Sequence, residues 1–242
     1  MSQTPPPVLA VQGLSCTRAL DRESPSRVRD ASLSFEERTI TVLRGREGCG
    51  KNLLLRLLGL MEVPDRGDVL LRGLSTARLS EKQRAAMRSK HFGFLFAAPF
   101  LLPSFTLVEN VAMPLFKISS VNTAQAQERT RAVLEFVGLG DQAQASVEKM
   151  PSSDQQRASL ARALVNMPEL LMVENADALL EGDERAAFLS LLQDACNRFG
   201  LTVILTASGD DVAAFANRVI DLEDGSVVED ARVLPRNPGV GV

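Results

Sequence analysis

One run of residues has the types and spacing for phosphate chemistry: Gly45-Arg46-Glu47-Gly48-Cys49-Gly50-Lys51-Asn52. It reads G-x-x-x-x-G-K. In such a run glycines let the backbone fold around an anion with its N–H groups turned inward. A helix that starts at the end of the run adds its unpaired N-terminal amides and the positive end of its dipole. Lys51 then supplies a point charge for the outer phosphates. One position departs from the pattern: Asn52 stands where a Ser or Thr hydroxyl ordinarily meets Mg²⁺. Cys49 is a candidate reactive thiol, because it lies beside Lys51 at a helix start. The alternative is a small residue that simply fits a tight turn.

The flanks are those the chemistry requires. Ile40 to Leu43 is apolar and β-branched, a buried strand feeding the loop, and Leu53 to Leu60 has a helical pattern. Val8–Val11 and Ala31–Phe35 read as strands with a hairpin loop over 21–26. Pro64 to Asp68 reads as a turn before a short strand, Val69–Leu71. Ser80 and Gln83 form a capping box for a helix to about Lys90, and Phe92–Phe96 is another strand. Residues 97–150 differ in character. Pro99 to Pro114 is apolar with an acidic Glu109, and Thr123 to Val137 is a helix closed by Gly138 and Gly140. The alternation then resumes: a helix capped by Ser152 or Ser153 to Val165, a strand over 170–173, a helix capped by Asp183 to about Asn197, a strand over 202–205, a short helix over 210–216 and a strand over 219–222. Asp224-Gly225 is a hairpin turn. Strands alternating with helices imply a largely parallel sheet covered on both faces, with its ligand at the carboxyl ends of the strands.

The chain has 242 residues, enough for one α/β domain with a full core. Its net charge of −3 gives no sign of a nucleic-acid partner, and Arg84, Arg88, Lys90 and His91 read as a solvated helix face. The three cysteines, Cys16, Cys49 and Cys196, have no paired spacing and point to a reducing compartment. No apolar run reaches the ~18 residues that a membrane span needs, and no basic-then-apolar leader opens the chain. Membrane association is therefore expected to be peripheral, through a partner. Residues 1–6, with Thr4-Pro5-Pro6-Pro7, and 234–242 read as tails.

Over about residues 8–230 the sequence resembles the nucleotide-binding domains of ABC transporters, and among them the lipoprotein-release, macrolide-export and cell-division ATPases. The likeness rests on Arg56-Leu57-Leu58-Gly59-Leu60, Gly67-Asp68-Val69 and Leu101-Leu102-Pro103-Ser104-Phe105-Thr106. It continues in Glu109-Asn110-Val111-Ala112-Met113-Pro114-Leu115, Gln155-Gln156-Arg157, Ala161-Arg162-Ala163-Leu164 and Asn217-Arg218-Val219-Ile220. It implies a P-loop NTPase of the ABC type: a largely parallel sheet with an antiparallel β subdomain and a helical subdomain. On this reading 1–242 is one domain, with an α/β core over 8–96 and 151–230 and a helical subdomain over 97–150.

The resemblance also assigns roles, and this chain departs from most of them. Arg18 stands where an aromatic stacks on adenine; a guanidinium can stack too, or simply lie on the surface. Ala97 stands for the Gln that touches Mg²⁺ and reports to the membrane subunit. Met150-Pro151-Ser152-Ser153-Asp154 replaces the Leu-Ser-Gly-Gly-Gln signature, which presents bare amides to the γ-phosphate of the opposite subunit. Side chains replace both glycines, Pro151 has no N–H, and Asp154 is expected to place negative charge near the polyphosphate. Glu174 takes the metal-site Asp, one methylene longer. Asn175 takes the catalytic Glu, and an amide cannot accept a proton. Ser208 takes the switch His, and Glu181 the acid of the following loop. Only Asn52 and Glu174 remain as candidates to face Mg²⁺.

The implied function is a degenerate ATP-binding subunit, a pseudo-ATPase with weak nucleotide binding. It would lie on the inner face of the cell membrane, docked through 97–115 on a permease-type subunit and paired with a second ATPase subunit, like or unlike itself. An active ATPase driving export or lipoprotein release is the second reading. A scaffold that binds no nucleotide is the third.

Overall fold

The structure is a computed structural model that describes residues 7–19, 25–117 and 121–233. Most of the expected loop at 21–26 and both tails lie outside the described residues. In chain order the elements are β1 (Leu9–Arg18), β2 (Ser26–Phe35), β3 (Ile40–Arg44), α1 (Lys51–Leu58), β4 (Arg66–Leu71), β5 (Leu74–Ser75), α2 (Glu81–His91) and β6 (Phe92–Leu95). Then come α3 (Leu107–Ala112), a 3₁₀ segment (Met113–Lys117), α4 (Thr123–Phe136) and α5 (Ser152–Leu164). The last part is β7 (Leu170–Val173), α6 (Gly182–Phe199), β8 (Thr202–Ala207), α7 (Asp210–Ala213), β9 (Arg218–Glu223) and β10 (Ser226–Arg232).

Two sheets form. The larger has the order β10-β9-β3-β8-β7-β6 and is parallel except where β10 meets β9; the smaller, β2-β1-β4-β5, is antiparallel. Because side chains alternate along a strand, the parallel strands feed two cores. Ile40 and Val42 of β3, Leu171 and Val173 of β7, and Val203 and Leu205 of β8 face the core shared with α5 and α6. Leu43, Leu170, Met172 and Ile204 face the other core, shared with β1 and β2. Helix α1 lies in that second core, with Leu53, Leu54, Leu55, Leu57 and Leu58 all buried. The start of α1 is thereby fixed at the carboxyl end of β3.

Several expectations need correction. Arg66, Gly67 and Asp68 belong to β4 and not to a turn. Asp68 pairs with Gln12 and Arg66 with Ser15 across a bulge. Gly67, at φ +84°, sits in that bulge, where a Cβ would come within 2.5 Å of the Gln12 carbonyl. No side chain caps α5: Pro151 is its N-cap and Ser152 its first residue. Glu181 is the N-cap of α6, and Asp183 lies in its first turn, where its charge still meets the dipole. Helix α3, inside the apolar 99–114 stretch, carries a signal that the prolines masked: Thr106 and Glu109 form a full capping box. The Ser80–Gln83 box on α2 forms as expected.

The stretch after β6 is held on α5. Gln156 Nε2 donates to the Ala97 carbonyl at 2.5 Å, and Arg162 donates to the carbonyls of Pro99 and Phe100 at 2.6 and 2.7 Å. Asn110, fully buried, organises the next turn. Its Oδ1 accepts from Leu102 N, and its Nδ2 donates to the carbonyls of Leu102, Phe105 and Thr106. Helix α5 packs against α3 and α4 as well as β6, which ties the helical region to the parallel sheet. Among the described residues no helix is long and apolar enough to cross a membrane.

Candidate phosphate-binding site

The glycine run leaves β3 and closes into α1. Gly50, at φ +100°, is enforced by its neighbour: a Cβ there would lie 2.0 Å from the Arg27 carbonyl oxygen of β2. The turn is also tied to the β9–β10 hairpin, through Gly225 N donating to Cys49 O at 2.9 Å. Cys49 itself is buried, and a Cβ on Gly45 would come within 2.6 Å of its sulfur. The thiol therefore fills the inside of the turn. That favours the reading of a small residue fitted into a tight turn over that of a reactive thiol.

Helix α1 starts with Gly50 as N-cap, without a side-chain cap and with no acid in the first turn. Its first amides are left to an anion. Lys51 is only 5% exposed. Its ammonium donates to the carbonyls of Gly45 (2.8 Å) and Arg46 (3.2 Å) and to the Ser208 hydroxyl (3.0 Å). Arg46, Glu47 and Gly48 form the exposed rim of the loop.

The residues at the other expected positions satisfy one another. Asn52 Nδ2 donates to Asn175 Oδ1 at 2.9 Å, while Asn52 Oδ1 is buried without a partner. Asn175, in a left-handed conformation just past β7, donates its backbone N–H to Thr206 Oγ1 at 2.8 Å. Glu174 is drawn to Arg56 of α1, at 2.9 Å. Asp177 accepts from the backbone N–H groups of Ser208 and Gly209 and so holds the loop after β8. Tertiary structure thus brings Lys51, Asn52, Glu174, Asn175 and Ser208 to one place.

Ala97, Met150–Asp154 and Glu181 belong to other surfaces. The Ala97 methyl offers no ligand atom, and its carbonyl is taken by Gln156. Pro151 and Ser152 are exposed at the head of α5. Ser153 is half-buried and Met150 is buried beneath them. Asp154 is buried and ion-paired to Arg157 one turn along. Its charge is neutralised inside α5, which corrects the expectation that it is presented to a polyphosphate. Glu181 is exposed. Arg18 is committed to Glu62 and Asp65, at 3.1 and 2.8 Å, so the surface reading of it holds.

Sequence reasoning missed three residues: Arg56, Asp177 and Arg44. The signal for Arg56 was its position four residues after Asn52, on the same face of α1. Arg44 ends β3 in a two-point pair with Asp221 (2.6 and 2.7 Å) and also meets Asp210. The Asp221 hydrogen bonds above all hold its guanidinium charged.

The residues fit a polyphosphate but not Mg²⁺. Mg²⁺ needs near-octahedral oxygen ligation that includes carboxylates. Here Glu174 is paired with an arginine, Asp177 is taken up by the Ser208 and Gly209 amides, and the Asn52 amide offers a single neutral oxygen. Among the described residues no group of three or more His, Cys, Asp or Glu side chains is placed to hold a metal.

Fold and site together define a P-loop cassette with an antiparallel sheet and a helical region added to its parallel core. Residues 28–178 match the family model described as ABC transporter, and the chain belongs to that family. It is 34% identical to the lipoprotein-releasing system ATP-binding protein LolD 2 of Caulobacter vibrioides over 219 residues, 90% of this chain and 96% of that one. It is 31% identical to LolD of Bacteroides fragilis over 201 residues, 83% and 93% of the two chains. It is 35% identical to the macrolide export ATP-binding/permease protein MacB of Burkholderia pseudomallei over 83% of this chain and 30% of that one. A dimeric ATP-binding cassette in a post-hydrolysis state, bound to ADP and Pi, superposes with TM-score 0.81 over 93% of this chain and 98% of its own, at 24% identity.

Proposed function

We propose that this chain is a nucleotide-binding subunit of an ABC-type membrane complex that holds ATP weakly and turns it over slowly or not at all. What carries the reading is the Asn52–Asn175 amide pair. It stands where a metal-ligating hydroxyl and a catalytic carboxylate belong, and neither amide can accept a proton from water. The binding half is intact: the Gly48 and Gly50 turn, the uncapped start of α1 and buried Lys51. ATP is named because relatives such as the LolD proteins are called ATP-binding.

The subunit docks on a permease-type partner through 97–115, where Phe100, Leu102 and Phe105 are exposed on a segment held by α5. So docked, it would lie on the inner face of the cell membrane. It pairs with a second ATPase subunit, with Met150 to Asp154 facing the partner's nucleotide. In a heterodimer neither composite site is fully equipped: one lacks the base, and the other lacks close glycine amides.

The second reading, an active ATPase, is favoured by the same relatives. Steady-state hydrolysis by the purified chain, alone and with a partner ATPase, separates the two. Turnover of ~1 s⁻¹ or faster that is lost in Lys51→Ala supports the active enzyme. Measurable ATP affinity without turnover supports the proposal, and no affinity at all supports a scaffold.

A further inference from the structure

The Glu174 carboxylate is only 12% exposed, and its partner is Arg56, four residues along α1 from Asn52. Residues so spaced lie one above the other on a helix. Arg56 is thus one turn further from the phosphate loop than Asn52, and it draws the longer glutamate arm along the helix, away from the loop. The guanidinium also keeps a buried Nε–H without a partner.

From this we infer that Arg56 is a resident cation in place of the metal: the cradle takes a metal-free nucleoside triphosphate as well as its Mg²⁺ complex. The inference rests on the nucleotide-binding reading above. Its logic is charge balance. An unpaired carboxylate beside the cradle would repel a triphosphate, and in a metal-dependent site the divalent ion screens the two. Arg56 does that permanently. Asn52 and Asn175 are neutral, so the floor of the site has no net negative charge left for a divalent ion to bind. The two amides can also pair the other way round. Asn52 then has a donor NH₂ to spare in place of its unpaired oxygen, which suits a bare phosphate oxygen.

The test is titration calorimetry of the full chain with ATP, in excess Mg²⁺ and in EDTA. Wild type is expected to give affinities within about threefold of each other. Arg56→Gln leaves Glu174 unpaired. Its metal-free affinity should fall at least about tenfold, with Mg²⁺ restoring most of it. Arg56→Gln/Glu174→Gln removes both charges and should return metal-free affinity to within about threefold of wild type, which shows that the cradle is intact. Tightening of wild type by tenfold or more on adding Mg²⁺ overturns the inference and leaves the nucleotide-binding reading standing. So does an Arg56→Gln chain with the wild-type affinities in both buffers. No heat of binding in either buffer overturns the nucleotide-binding reading and the inference with it.

Discussion

The Lys51 ammonium lies 3.0 Å from the Ser208 hydroxyl, so the residue just past β8 holds the phosphate-loop lysine from the strand next to β3. Two loop carbonyls complete its shell. The charge is thereby held at the mouth of the cradle, its side chain ordered before a phosphate arrives.

Lys51→Ala should abolish ATP binding while leaving the fold intact, because Leu53 to Leu58 and not Lys51 anchor α1. Calorimetry that finds equal affinity for wild type and variant would refute the cradle and favour a scaffold.

Asn175→Glu should not by itself produce an ATPase. The new carboxylate would lie beside Asn52 without a metal hydroxyl, and Ser208 and Ala97 remain as they are. One missing positioned group commonly costs ~10²–10³ in rate. Phosphate release at ~1 s⁻¹ from the single variant would show that Asn175 alone was limiting.

Asn110→Ala should destabilise the protein by roughly 1–3 kcal/mol, since it strands the Leu102 N–H and removes a fully buried amide. Thermal denaturation measures the loss, and proteolysis should cut first near Leu102 to Phe105. A variant with an unchanged melting temperature would mean that the turn holds without it.

Glu169 links stability to acid. Burial opposes its ionisation, but hydrogen bonds from His91 and Arg72 outweigh that and keep the carboxyl below its ordinary 4.5. A lowered folded value stabilises above the unfolded pKa, and that stability is lost as pH falls through the folded one. Glu169→Gln should therefore be less stable than wild type at pH 7 and show a shallower fall below about pH 4.5. Urea midpoints across that range decide it; parallel curves for the two proteins would exclude a role for Glu169.

Much of this was readable from local pattern. The glycine run, the apolar strand before it and the leucine helix after it are contiguous, so their chemistry follows from sequence and short-range sterics. The Ser80–Gln83 box is local in the same sense. By itself the sequence determined the strand–loop–helix unit, the alternation that makes the sheet parallel, and which groups are present: amides at Asn52 and Asn175 and a hydroxyl at Ser208. Only the tertiary structure decided what those residues do. Asn52 and Asn175 lie far apart in the chain, as do Arg56 and Glu174, and each pair meets because β8 joins β3 and β7 in one parallel sheet, whose carboxyl ends bring the residues past β7 to α1. The same holds for Cys49, whose burial depends on the turn closing against Gly45 and the β9–β10 hairpin, and for Asp154, which turns inward to Arg157. Spacing in one dimension fixes which groups are present. Partners across a sheet depend on long-range packing, which no local pattern encodes.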